Sequence, residues 1–326
     1  MDYVRLGRAN LKVSRLGLGA MGFGAKSWRE WVLGRDAARP IIARALDLGI
    51  NLFDTCDFYS LGESERILAD LLVAQVPRDS IVVATKAGNP MQPHANGRGY
   101  SRKHLFEAAD ASLKRLKTDY IDLFQTHIWD PNTDLDELVD AFADLVRSGK
   151  VLYVGATTMP AWSFCSCLYI ARAKHLPQFV SMQCEYNPCH REAERELLPL
   201  CRANGIGLIP FSPMARGFLS ADRREAPAQS ARTRSDDYTM KLYHREGDFA
   251  VLEAVKSVAA RHGITPSQAA LAWTASRPGI TAPIFGATAI EHVDQAVAAL
   301  DIELTPEDVK AIENAYQPRA IHLSGH

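Results

Sequence analysis

The chain lacks several features that would direct its reading elsewhere. No stretch approaches the roughly 18 uncharged apolar residues of a membrane-crossing helix, so no membrane partner is expected. The opening residues, MDYVRLGRANLKVSRLG, carry no apolar core of a secretory leader, and a cytoplasmic protein is the expectation. Lysine and arginine total 37 against 38 aspartate and glutamate, a formal charge of -1. That balance lacks the basic footprint of a nucleic-acid binder, and no long run of one sign marks a tail. The six cysteines, Cys56, Cys165, Cys167, Cys184, Cys189 and Cys201, form no C-x-x-C pair and match no zinc framework. Isolated buried thiols and no metal are therefore expected. The G-x-S-x-G motif is absent, no activated serine or cysteine nucleophile stands out, and no carboxylate pair is set apart for glycoside cleavage. Nothing in the sequence defines an oligomeric state.

What is present is rhythm. The 326 residues, 47% of them hydrophobic, suffice for one large domain or two modest ones. Eight β-rich runs recur: RLGLGA, INLFDT, IVVATK, YIDLFQTH, VLYVGATT, FVSMQCEY, IGLIPFSP and ITAPIFG. Between most of them lie segments with helical spacing. Residues 36–48 place Ala37, Ile41, Ile42, Ala45, Leu46 and Leu48 on one face, and 63–74, 102–116, 134–148, 161–173 and 190–203 repeat the theme. Ser101 is placed to cap a helix start, and Gly49, Gly149 and Gly205 stand where helices should end. Nearly continuous Val, Ile and Leu runs suit a parallel sheet covered on both faces. Eight strand–helix units predict an α/β fold, a closed (β/α)8 TIM barrel, as a single domain over residues 1–326. An open doubly wound sheet is the alternative, but no Pro/Gly/Ser linker divides the chain. Polar segments 87–100 and 218–246 predict long loops over the C-terminal face, the second followed by helices at 247–262 and 266–277 with Pro266 in a first turn.

Residues 17–22, GLGAMG, satisfy G-x-G-x-x-G. A dinucleotide fingerprint needs a helix directly after it, whereas FGAKSWREWVLGRD follows with no helical face until about Ala37. The better reading is a short barrel strand entering a glycine-rich turn.

Barrel chemistry gathers at the C-terminal ends of the strands. There the second run ends at Asp54, with Asp57 and Tyr59 behind it; the third ends at Lys86; the fourth brings Gln125 and His127 toward the rim. A lysine after IVVAT is costly to bury alone, and Asp54 is its obvious partner. Together these types suit proton donation during addition to a carbonyl. A tyrosine hydroxyl is a weak acid, a nearby ammonium should lower its pKa, a carboxylate should hold the ammonium, and a histidine can orient the carbonyl oxygen.

The chain resembles the aldo-keto reductase family over almost its whole length, in layout the bacterial type named aryl-alcohol dehydrogenase-like or general oxidoreductase. The resemblance rests on FDTCDFYSLGESE, IVVATK, DYIDLFQTHIWD, GKVLYVGATT, MQCEYN, LIPFSPMARGFL and APIFGATAIEHVDQAVAAL, in that order. It implies a catalytic set of Asp54, Tyr59, Lys86 and His127, and NADPH-dependent reduction of a small carbonyl substrate, aldehyde or ketone, to an alcohol. It further implies a cofactor extended across the barrel mouth. Thr157, Thr158 and Gln183 would lie near the carboxamide, and Phe211 would stack on the nicotinamide. Ser212, Pro213, Met214, Arg216, Gly217 and Leu219 would lie beneath the pyrophosphate. Phe285, Gly286, Ala287 and Thr288 would approach the adenosine phosphate, with Gln295 near the adenine. Relatives often carry a basic residue where Ala289 and His292 stand, so NADH use stays open. Thr158 stands where asparagine is common, and Cys56 where alanine is common. Trp28, Trp31, Tyr59 and Trp129 offer surfaces for an aromatic substrate, while Arg98, Arg102 and Lys103 fit either a sugar phosphate or a solvated face. The tail RAIHLSGH is expected to be a loose end. Two other readings stay open: an NADP(H)-binding redox-sensing module with little turnover, and a barrel hydrolase or isomerase using Asp57 or Glu63.

Overall fold

Each of the eight apolar runs forms a short parallel strand in the computed structural model, which describes residues 1–220 and 237–320. An unexpected antiparallel hairpin comes first, β1 (Tyr3–Arg5) and β2 (Lys12–Ser14). The barrel strands are β3 (Gly17–Gly19), β4 (Leu52–Asp54), β5 (Val82–Ala87), β6 (Ile121–Thr126), β7 (Val151–Thr157), β8 (Phe179–Gln183), β9 (Gly207–Leu208) and β10 (Ile284–Phe285). Neighbours pair in chain order, and β10 pairs with β3. Bridges Leu208↔Ile280 and Phe211↔Ile284 join the last two strands, with the Ile284 N–H donating to Pro210 O at 2.8 Å. The ring therefore closes, as the (β/α)8 expectation requires. GLGAMG supplies β3 and a 3-10 turn, with α1 (Arg35–Asp47) starting much later.

Helices cover the outside, most of them at the expected places, although the last two, over 290–298 and 306–314, were not expected. They are α2 (Glu63–Leu68), α3 (Arg102–Leu116), α4 (Leu135–Arg147), α5 (Ala161–Ala173) and α6 (Leu197–Asn204), followed by α7 (Asp237–Leu242), α8 (Glu246–His262), α9 (Pro266–Ser276), α10 (Ile290–Ala298) and α11 (Pro306–Asn314). The Ser101 hydroxyl accepts from the His104 N–H and starts α3 as its sequence position implied. Three boundaries differ. α2 gives way at Ala69 to a π-helical turn, the 190–203 segment is interrupted before α6, and α7 occupies part of the expected loop 218–246. Residues 221–236 of that loop, and 321–326 of the tail, lie outside the described residues. The start of the tail is not loose: Arg319 is buried and pairs with Asp248 at 2.5 Å.

Strand alternation divides the core. Val83, Phe124 and Ala87 face the helices in the larger cluster, while Leu52, Val82, Ala84, Leu123, Ile209, Ala282 and Ile284 fill the barrel interior. Leu6 and Val13 of the hairpin join that interior cluster and plug the end opposite the strand C-termini. The hairpin turn needs Gly7, whose φ is +57°; a Cβ there would sit 2.5 Å from Gly205 O and from Gly207 N. Gly7→Ala is expected to lower the unfolding free energy by about 2–4 kcal/mol, the sum of left-handed strain and overpacking, as read from urea denaturation. A loss below the resolution of that measurement would mean that the hairpin does not plug the barrel.

Candidate active site

Two residues beyond each apolar layer, the inward positions turn polar. On β4 the sequence Leu52, then Asp54, and on β5 Ala84, then Lys86, put an acid and a base side by side inside the barrel. Lys86 has no exposed surface and Asp54 is 3% exposed. The ammonium donates to Asp54 Oδ2 at 2.7 Å and to Thr55 O at 2.8 Å. The other Asp54 oxygen accepts from Gln183 Nε2 at 2.9 Å, reaching across from β8. Gln125, expected at the rim, lies one strand over and in register with Lys86. Alternation turns it inward, it is fully buried, and neither of its amide atoms has a hydrogen-bond partner.

Tyr59 and His127 stand above the pair. Lys86 Nζ lies 5.4 Å from the Tyr59 ring centroid, and the His127 ring meets Tyr59 edge-on at 5.6 Å. Asn89 Nδ2 lies 2.6 Å from His127 Nδ1, so the amide donates there and the ring proton resides on Nε2. Burial, reinforced by the Lys86 charge, pushes the imidazole well below its usual range and keeps it neutral. The backbone N–H groups of His127 and Ile128 both donate to the Tyr100 hydroxyl at 3.0 Å, and that hydroxyl donates to Ile128 O. Asn89 and Tyr100 were invisible in the sequence, where they were two residues of a polar loop.

The Tyr59 pKa is not lowered overall, contrary to the expectation from the nearby ammonium. Burial raises it well above the ordinary phenol value, and the Cys56 and Asp54 charges add to the rise; Arg216 and Arg29 oppose it more weakly. Removing a phenolate from water outweighs the cations around it. Tyr59 is therefore held as a phenol. Asp57 is almost fully buried, neither of its oxygens has a hydrogen-bond partner, and burial followed by Glu65 raises its carboxyl well above the usual range. Glu65 itself accepts from Thr85 Oγ1 at 2.7 Å and Arg115 Nε at 2.5 Å, while Glu63 only opens α2. Cys56 is a buried filler whose thiol burial pushes up.

The expected cofactor residues follow the ends of β7, β8, β9 and β10 in turn. Thr157 ends β7 with a buried, unpartnered hydroxyl; Thr158, at φ +51°, donates its N–H to Gln183 O at 3.0 Å. The Gln183 amide nitrogen is engaged by Asp54. Phe211 bridges the backbones of Glu185 and Ile284. Behind it, Ser212, Ala215, Arg216 and Gly217 all have left-handed φ, while Pro213 and Leu219 are buried and Met214 is partly buried. Such a run persists only where surrounding structure holds it. Phe285 is buried at the end of β10; Gly286 is exposed with open space about its Cα; Ala287 is buried and Thr288 exposed. Ala289 starts α10 without a side-chain cap, and His292 Nδ1 accepts from the Thr288 N–H at 3.2 Å. Gln295 is half-buried on α10. Among the described residues no group of three metal-ligating side chains comes together, and no helix is long and apolar enough to cross a membrane.

A model of the Aldo/keto reductase family matches residues 15–317. The versiconal hemiacetal acetate reductase of Aspergillus parasiticus is 39% identical, with 99% of each chain covered. An aldo-keto reductase of Metarhizium robertsii is 36% identical over 100% of this chain and 93% of its own. A Schizosaccharomyces pombe protein provisionally named as an aryl-alcohol dehydrogenase is 36% identical, covering 97% and 96%. These relatives are fungal, so the bacterial subtype implied by the layout finds no support in them.

The Lys86–Asp54 pair yields a stability test. Lys86→Met strands a buried carboxylate and is expected to cost about 3–5 kcal/mol. Lys86→Met with Asp54→Asn should cost less than the two single changes added together, because the second change removes the stranded charge. Additive losses in urea denaturation would show that the two side chains are not coupled.

Proposed function

The chain belongs to the aldo/keto reductase family, an oxidoreductase family, and from that premise we propose that it reduces an aldehyde or ketone to its alcohol with NADPH, Tyr59 donating the proton. We read the chain as one barrel domain. The observation that carries the proposal is the buried Lys86–Asp54 ion pair directly beneath a phenol and a neutral imidazole. The His127 Nε2–H donates to the substrate carbonyl oxygen and holds it beside the Tyr59 hydroxyl. As charge builds on that oxygen, Tyr59 gives up its proton, and the Lys86 ammonium offsets the negative charge left on the ring. Asp54, braced by Gln183, keeps the ammonium in place.

A reduced nicotinamide supplies the hydride when bound. The rim from Thr157 to Gln295 suits such a dinucleotide: Thr157 offers an unpartnered hydroxyl, Gly286 leaves open space, and the uncapped start of α10 presents backbone donors suited to phosphate. No lysine or arginine occupies positions 289–292, which weakens the hold on a 2′-phosphate. NADPH is favoured, by a narrow margin over NADH.

Tyr59→Phe keeps the ring and removes the acid. Single-turnover reduction of an aromatic aldehyde should slow by roughly 10²–10⁴-fold while cofactor binding is retained. In the unaltered protein, tyrosine ionisation should not reduce the rate until the pH passes about 10, because the acid form persists below a raised pKa. Near-normal hydride transfer in Tyr59→Phe would move the proton donor elsewhere. Titrating both cofactors by fluorescence quenching should give tighter binding of NADPH. Equal affinities would show that the loop has no selectivity for the 2′-phosphate, and binding without reduction of any aldehyde would favour a redox-sensing module.

A further inference from the structure

Resting on the reading of this site as a carbonyl reductase, we propose that Asn89 is a positioning residue that makes His127 a hydrogen-bond donor toward the substrate oxygen and bars it from acting as a base. Asn89 stands near the start of the loop that runs from β5 to α3, three residues after Lys86. The loop folds back on itself. The Gly99 N–H donates to Gly88 O at 3.0 Å, and the Met91 N–H donates to Gly97 O at 2.9 Å. Gly88 has φ +127°, and a Cβ there would lie 2.4 Å from the Tyr100 hydroxyl. The two ends of the loop therefore meet, Asn89 at one and Tyr100 at the other.

Both ends hold the same histidine. Tyr100 holds its backbone: the hydroxyl accepts from the N–H groups of His127 and Ile128 and donates to Ile128 O. Asn89 holds its ring, with Nδ2 2.6 Å from His127 Nδ1. The amide nitrogen only donates, so Nδ1 accepts and the single hydrogen of the neutral imidazole sits on Nε2. The ring held in this way meets Tyr59 edge-on at 5.6 Å.

The residue type at position 89 decides what the imidazole can do. A carboxylate there would only accept. It would draw the hydrogen to Nδ1 and leave Nε2 with a lone pair, the arrangement that makes a histidine a general base. Reduction of a carbonyl needs the reverse, because its oxygen gains negative charge and is stabilised by donors. The amide also carries no charge, so its hold on the ring does not change with pH. Among the described residues, Lys86 from β5 and Tyr59 from the loop after β4 are the titratable groups facing the ring. The first disfavours a charged imidazole, and the second faces it as a phenol.

The test is single-turnover reduction of 4-nitrobenzaldehyde by the NADPH-loaded protein between about pH 6 and 9. In the unaltered protein the rate should stay level, since neither His127 nor Tyr59 changes its protonation there. In Asn89→Asp it should fall by about 10²-fold at the alkaline end, where Nε2 lacks its hydrogen, and recover as the pH is lowered. Recovery follows whether the added proton sits on the ring or on the new carboxyl, because either returns a hydrogen to Nε2. Asn89→Ala should lose about tenfold at every pH. A loss in Asn89→Asp that is the same at every pH is what a merely structural role gives, and it overturns the proposal. If Asn89→Asp does not fold, 15N NMR of the His127 ring decides. A hydrogen on Nε2 in the unaltered protein and a mixture of tautomers in Asn89→Ala support the assignment. A hydrogen on Nδ1, or a spectrum that Asn89→Ala leaves unchanged, overturns it. The ring spectrum needs no turnover, so a failure to reduce any aldehyde sinks the reductase reading, whereas the wrong tautomer sinks this inference alone.

Discussion

An ammonium with no exposed surface, held by one carboxylate, is the constraint from which the site is built. Each of these ions costs several kcal/mol to remove from water, and their attraction offsets that only if the remaining donors and acceptors are satisfied. Here they are satisfied by neighbours: Thr55 O takes a second ammonium proton, and Gln183 fills the second Asp54 oxygen. Three strands are thereby tied together at one level, β4 and β5 side by side and β8 across the barrel. The closure of the ring is what allows Gln183 to reach Asp54, which lies 129 residues earlier in the chain. Fold and site depend on each other at this point.

The same pair adds to the effect of burial on the groups above it. The Lys86 charge helps keep His127 neutral, so that the imidazole offers one N–H rather than a competing cation. Tyr59 is kept as a phenol mainly by burial, with the Asp54 charge contributing. A phenol and a neutral imidazole N–H are two hydrogen-bond donors, which is what an oxygen acquiring negative charge requires.

Much of the fold was legible because parallel barrel strands are apolar on both faces and stand out as short Val, Ile and Leu runs, as IVVATK and YIDLFQTH do. The helix limits 102–116 and 161–173 were readable from periodicity, and Ser101 from capping chemistry. The hairpin was not: its three-residue strands are too short for alternation to register, and its role depends on distant glycines. Within the site, Asp54, Tyr59, Lys86 and His127 were legible from polar residues ending apolar runs. Asn89 and Tyr100 were not, because a loop has no period, and their partner is set by how residues 88–100 return to β6. The direction of the Tyr59 shift was misread for a related reason. A charge partner can be inferred from a sequence, whereas the degree of burial that outweighs it is a property of the packed structure.

The central claim is that burial holds Tyr59 as a phenol through the neutral range, and that the Lys86–Asp54 pair beneath it adjusts that acidity further. Following the 13Cζ resonance of Tyr59 against pH, in the unaltered protein and in Lys86→Met, tests it most directly. The account predicts a phenol throughout the neutral range in the unaltered protein, with ionisation moved still higher in Lys86→Met, where Asp54 is left without its cation. Tyr59 ionising at the same pH in both proteins, or already ionised at neutral pH, would contradict it.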